Sequence, residues 1–167
     1  MNQADITVHD RPVVDAALTE SERTGGPAAA LELPDGSIVT GKTSDLLGAC
    51  SALLLNALKK LAGIGHEIKI ISPQAIEPIQ SLKTKYLGSR NPRLHTDEVL
   101  IALSVSAATS EDAKLAMEQL PKLKGCQAHV SVMPGSVDIK QFKLLSIQAT
   151  FEAKYEKNSV FFNNKGV

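Results

Sequence analysis

The sequence predicts an α/β fold, a three-layer sandwich in which helices cover both faces of a mixed sheet. Three observations carry this expectation. The runs "AAALEL" and "SIVTGK" flank "PDG", whose Pro and Gly suit a tight reversal, so the pair reads as a β-hairpin. The segment "SDLLGACSALLLNALKKLAGIG" is apolar nearly all round, as a helix buried on most sides would be. Downstream, short β-branched or alternating runs interleave with helical ones, which places helices between strands and over the sheet.

In order, "DRPVVDAALTESER" reads as an amphipathic helix with Val13, Val14, Ala17 and Leu18 on one side, ended by Gly25, Gly26 and Pro27. The hairpin follows. The buried helix is expected to be capped by Ser44 or Asp45 and stopped at Gly63 or Gly65. Asn56, Lys59 and Lys60 form its narrow polar stripe. "HEIKIIS" reads as a short strand, with Pro73 placed to open the next helix, "AIEPIQSLKTKYLG", where Pro78 is tolerable only in the first turn. After the polar loop "SRNPRLHTDE", the run "VLIALSVSAA" reads as a helix, because Asp97 and Glu98 suit a positive helix start. "TSEDAKLAMEQLPKL" carries Thr109 and Asp112 at capping-box spacing. "QAHVSVM" is a strand, "SVDIKQFKLL" a helix and "SIQATFE" a final strand. The expected division is a polar lead and flanking helix over 1–26, the α/β domain over 27–156 and a loose tail over 157–167.

Composition narrows the function. Of the 167 residues, 43% are hydrophobic and 22% charged, enough for a real core, and with aromatics at 4% that core rests on Leu, Ile, Val and Ala. Lys and Arg number 18 and so do Asp and Glu, so the basic footprint of a nucleic-acid binder is missing. Two cysteines, Cys50 and Cys126, give no disulfide framework. With no basic, apolar leader and no membrane-length apolar run, a cytoplasmic protein that neither spans nor anchors to a membrane is expected.

Gly36, Gly41, Lys42 and Thr43 stand at the G-x-x-x-x-G-K-T spacing of a phosphate-binding loop. Such a loop wraps its backbone N–H groups around phosphates and opens a helix at the Lys-Thr. Here Ile38, Val39 and Thr40 are β-branched and favour extended strand, and Gly36 already serves the turn. No apolar strand ends in a magnesium-binding Asp either. The expectation is a hairpin strand and no nucleotide.

Hairpin, buried helix, strand ending Ser-Pro, then helix is also the order of the zinc-dependent cytidine deaminases, so a cytidine-deaminase-like topology is expected. The zinc motifs H/C-x-E and P-C-x-x-C are not there. Cys50 falls where the first ligand stands, but Ala52 replaces the catalytic Glu, and Gln74 and Glu77 replace the two thiolates. One cysteine cannot hold zinc, so neither metal nor cofactor is expected.

The blocks "ELPDGSIVTGKTSDLLGACSALLLNALKKLAGI", "ISPQAIEPIQSLKTKYLGSRNPRLHTDEVLIALSVSA" and "MEQLPKLKGCQAH" closely resemble the C-terminal part of a bacterial family known as domain-of-unknown-function 1846. The resemblance spans roughly Arg11 to Tyr155. It implies a deaminase-like scaffold and no established activity. It also implies that this chain lacks upstream portions, among them a glycine-rich, phosphate-loop-like stretch, and is a truncated product or a stand-alone relative. The expected partners are those missing domains or another copy of the chain.

The densest polar cluster is "GSRNPRLHTDE". Arg90 and Arg93 are suited to clamp an anion and His95 with Asp97 to exchange a proton, with Asn91 beside them. The competing reading gives Asp97 and Glu98 to the helix dipole and the arginines to an absent domain. At the mouth of a sheet with a chain reversal, Lys42, Thr43 and Ser44 are expected to approach the same place, with Lys42 near Asp97. The leading function is a binding or interaction module, the rival a small-molecule enzyme using this cluster; no catalytic residue is assigned. His9, His66 and His129 stand alone and are expected at the surface.

Overall fold

The computed structural model describes residues 11–154, so His9 and the 157–167 tail lie outside the described residues. The elements are α1 (Pro12–Thr24), β1 (Ala28–Glu32), β2 (Ile38–Lys42), α2 (Ala49–Ala62), α3 (Pro73–Ser81), α4 (Thr96–Ser106), α5 (Glu111–Met117), β3 (Gln127–Val130), α6 (Ser136–Leu144) and β4 (Gln148–Phe151). A π-helical turn, Leu82–Tyr86, extends α3, and a 3-10 turn, Leu120–Leu123, follows α5. The four strands form one mixed sheet in the order β2-β1-β3-β4. β1 pairs antiparallel with both β2 and β3, whereas β3 and β4 run parallel, joined through α6.

The hairpin arises as expected. Gly36 takes a left-handed φ of 88°, Asp35 accepts from the Ser37 N–H, and Leu33 N–H donates to Ser37 O, so the turn is closed before β2 begins. β1 is central and begins with three alanines. Ala29 and Leu31 face the main core, while Ala30 faces Val13 and Ala17 of α1. The two-residue period of the strand thus splits the protein into a thin layer under α1 and a thick one holding α2 to α6. Val13 and Val14 are fully buried, which contributes roughly 1.5–3 kcal/mol each.

Four local expectations change. "HEIKIIS" is not a strand: the carbonyls of His66 and Ile68 accept from the Lys59 amine at 2.8 and 3.1 Å, so a side chain holds them in place of a ladder. Ile70 and Ile71 are both buried, so the run is held by packing on consecutive residues. α2 opens at Gly48 and Ala49, because Ser44 instead accepts from Leu46 and Leu47 in a turn that precedes the helix. α5 is capped by Ser110, whose hydroxyl accepts from Ala113 N–H at 3.2 Å. α3 starts at Pro73, so Pro78 lies beyond its first turn; both Pro78 and Gln74 are exposed, and water can serve the carbonyl that Pro78 leaves without a donor.

A fifth correction, to a surface expectation, is His129, and it is the plainest. It is fully buried opposite Ala30. Its ring nitrogens meet Thr150 Oγ1 at 2.7 Å and Glu152 Oε2 at 2.8 Å, and Arg11 donates to the same threonine at 2.6 Å. A buried imidazole is tolerated where its nitrogens are bonded, and parallel pairing with β4 supplies the partners. His66 is exposed as expected. Among the described residues no helix is long and apolar enough to cross a membrane.

Candidate functional site

β2 does not behave as a phosphate loop. Ile38 to Lys42 are paired with β1, and no helix opens at Lys42-Thr43. Gly41 has a different purpose: a Cβ there would lie 2.3 Å from the backbone nitrogen of Leu53. The glycine permits β2 and α2 to touch backbone to backbone.

The cleft that draws polar groups together lies between the starts of α2, α4 and α6. It encloses about 220 Å³, and Thr43, Asn91, Arg93, His95, Cys50 and Asp138 are on its walls. Two loops form its floor. Leu94 N–H donates to Leu46 O at 3.0 Å, Gly48 N–H to Leu94 O at 3.3 Å, and Ser51 Oγ to the same Leu94 oxygen at 2.8 Å. This parallel bridge, Leu47 with Leu94, ties the entrance of α2 to that of α4. Behind it the Lys83 amine, largely buried, donates to Arg93 O and pairs with Glu98 Oε1 at 2.9 Å. Glu98 also accepts from His95 N–H at 2.8 Å and so caps α4. Asp138, in the first turn of α6, accepts from Thr96 N–H at 3.0 Å and Thr96 Oγ1 at 2.8 Å.

Of the eight residues singled out in the sequence, Thr43, Asn91, Arg93 and His95 meet in this cleft. Lys42 and Ser44 line another one, of about 670 Å³, with Glu20, Arg23 and Lys69. Arg93 touches that side too, since its Nε donates to Ser44 O at 2.6 Å. Arg90 is exposed. Asp97 accepts from Glu98 N–H at 2.8 Å in the first turn of α4, a helix-start role. A third hollow, about 460 Å³, lies over Asn56 and Lys59, whose donors are committed to Thr40 O and to the 66–68 carbonyls. Asn56 and Lys59 of the polar stripe of α2 are therefore structural, while Lys60 is exposed.

The sequence reading missed Asp138 and the paired glycines Gly48 and Gly135 that precede α2 and α6. Glycine at the position just before each helical run was the available signal.

Cys50 is buried and sits in the first turn of α2. Zinc does not fit here. Cys50 is the cleft's one thiol, Gln74 and Glu77 are exposed residues of α3 away from it, and among the described residues no three His, Cys, Asp or Glu side chains are placed to hold a metal. Burial, with a smaller contribution from Asp138, pushes the Cys50 thiol well above its ordinary value of 9.0. The folded protein therefore keeps this proton while the unfolded chain releases it, so stability falls as pH rises above about 9. We expect Cys50 to resist a disulfide reagent in the native state at pH 8 and to react on unfolding. Cys50→Ala is expected to reduce the alkaline loss in urea titrations, the remainder coming in part from Cys126, whose thiol is also pushed up by burial. Rapid native labelling of Cys50 would contradict this.

The chain matches, over residues 9–161, the profile of a family described as "Domain of unknown function DUF1846, C-terminal". The chain belongs to this family. Curated relatives are named UPF0371 protein. One from Corynebacterium glutamicum (strain R) is 56% identical over 96% of this chain and 32% of its own length. One from Corynebacterium aurimucosum is 53% identical over 99% of the chain and 33% of its own length. A third, from Streptococcus thermophilus (strain CNRZ 1066), is 48% identical over 96% of the chain and 33% of its own length. This DUF1846 chain thus spans about a third of the length of the curated relatives it matches, which is consistent with a piece of a longer bacterial protein.

Proposed function

We propose that this domain is an interaction module whose occupant is the upstream portion of a longer DUF1846 polypeptide. One observation carries the reading. α4 is apolar on its outer as well as its inner side, with Ile101 63% and Val105 69% exposed at i,i+4 spacing. A helix apolar all round belongs in an interior. Tyr86 and Leu87, 78% and 70% exposed, are further exposed apolar residues at the end of the π-helical turn, and that turn is tied to α4 by the Lys83–Glu98 pair. Relatives about three times as long supply chain to cover such a face.

The test is co-purification of the chain with the preceding portion of the Corynebacterium glutamicum relative. Binding is expected, and Ile101→Glu with Val105→Glu is expected to weaken it at least tenfold while leaving stability within about 0.5 kcal/mol, as exposed substitutions do. Self-association of the isolated chain without binding that portion, or no association at all, would reject the reading.

A small-molecule enzyme built on Lys42, Arg93, His95 and Asp97 is less well supported, since Lys42 lines a different cleft and Asp97 is engaged at the start of α4. The cytidine-deaminase-like scaffold is likewise our inference. What supports it is the order of hairpin, helix opening near Cys50 and helix opening at Pro73; segment 66–72, outside the sheet, departs from it. A cytoplasmic location rests on the two free thiols, Cys50 and Cys126.

A further inference from the structure

We propose that the cleft between the starts of α2 and α6 binds a small ligand through an oxyanion, a phosphoryl or carboxylate group.

The helices of this protein differ in how their first N–H groups are satisfied. α4 is capped by Glu98 and Asp138, and α5 by Ser110. α1 and α3 open on Pro12 and Pro73 without a side-chain cap, and α2 and α6, also uncapped by a side chain, open on Gly48 and Gly135. The N–H groups of Ala49, Cys50 and Ser51, and those of Ser136, Val137 and Asp138, have no acceptor among the described residues. Both glycine-led ends open onto one cleft, which concentrates donors and two positive dipole ends at one place.

Side chains add independent donors. Arg93 is oriented by its Nε bond to Ser44 O, and its two terminal nitrogens have no partner among the described residues, leaving a fork suited to a carboxylate or phosphate edge. The Asn91 side chain uses its oxygen for Arg93 N–H, so its amide nitrogen is available. The Cys50 side chain, only 3% exposed, lines the cleft with no hydrogen-bond partner among the described residues. A protonated thiol there donates weakly and adds no competing charge. The one acid on the wall, Asp138, has an oxygen directed at Thr96, where it receives two hydrogen bonds. The cleft is also narrow, so the ligand is small.

The probes are inorganic phosphate and acetate, titrated into the isolated chain at constant ionic strength with chloride as reference. Saturable binding of phosphate or acetate, with amide shifts confined to residues 48–51 and 135–138, is the expected result; which ion binds more tightly identifies the group. Arg93→Gln is expected to weaken binding at least tenfold. Gly135→Asp supplies the more decisive arm. Gly135 has extended backbone and no atom within 4 Å of a Cβ, so the substitution fits. The new carboxylate caps α6 and occupies the anion's place, so it is expected to raise the melting temperature by about 1 °C and weaken binding at least tenfold. No saturable binding of either ion, or undiminished binding in Gly135→Asp, would overturn the proposal. The outcome is independent of whether α4 docks a partner.

Discussion

Gly41→Ala is expected to destabilise the fold by about 3 kcal/mol or more, the upper end of what overpacking costs. The added carbon would stand 2.3 Å from Leu53 N, 2.6 Å from Leu53 Cα and 2.9 Å from Ala49 O. All three are backbone atoms of α2, so no side chain can rotate away. Relief requires moving α2 off β2, and α2 carries Leu53, Leu54 and Leu58, all fully buried. The proper control is Gly36→Ala. Gly36 has a left-handed φ of 88° with nothing within 4 Å of a new Cβ, so only backbone strain of about 1–2 kcal/mol is added. Urea unfolding of the two variants checks the order: a lower midpoint at unchanged slope for both, and a larger drop for Gly41→Ala. If Gly41→Ala proved as stable as the parent while Gly36→Ala did not, the close strand–helix contact would be wrong. The nucleotide-loop reading makes the opposite forecast, because there the glycine would serve a ligand and not the packing.

Phe142→Ala is expected to cost about 3–5 kcal/mol. Phe142 is the largest of the fully buried side chains and the one buried residue of α6. Among the described residues Phe151 is the other ring packed against this core, and it is only partly buried. α6 would lose its anchor, and with it the placement of Gly135 and Asp138 at the cleft. Thermal unfolding should show a fall of roughly 6–20 °C for a chain of this size. Phe142→Leu, which keeps most of the apolar volume, should cost about 1.5 kcal/mol or less. Equal losses for Ala and Leu would mean that the ring's volume is not what holds α6.

The parts of the fold that local chemistry specifies were legible. The Pro34-Asp35-Gly36 turn sets the hairpin, and Gly63, one of the two expected stops, ends α2 in a left-handed conformation. The parts that failed depend on distant atoms. Ile68 to Ile71 look like a strand until Lys59 takes the carbonyls beside them. His129 looks solitary until β4 brings Thr150 and Glu152 against it. At the cleft, Asn91, Arg93 and His95 were found because they crowd one loop. Asp138 was missed because its partner, Thr96, is distant in the chain, and the two glycines because a glycine before a helical run does not show that the N–H groups behind it stay open.

A single amine, that of Lys83, braces both regions to which a role is proposed. It holds the carbonyl of Arg93 beneath the cleft and the carboxylate that starts α4 under the outer apolar stripe. Neither region can therefore be redesigned in isolation through that lysine: neutralising it would slacken the cradle and the docking helix in one stroke.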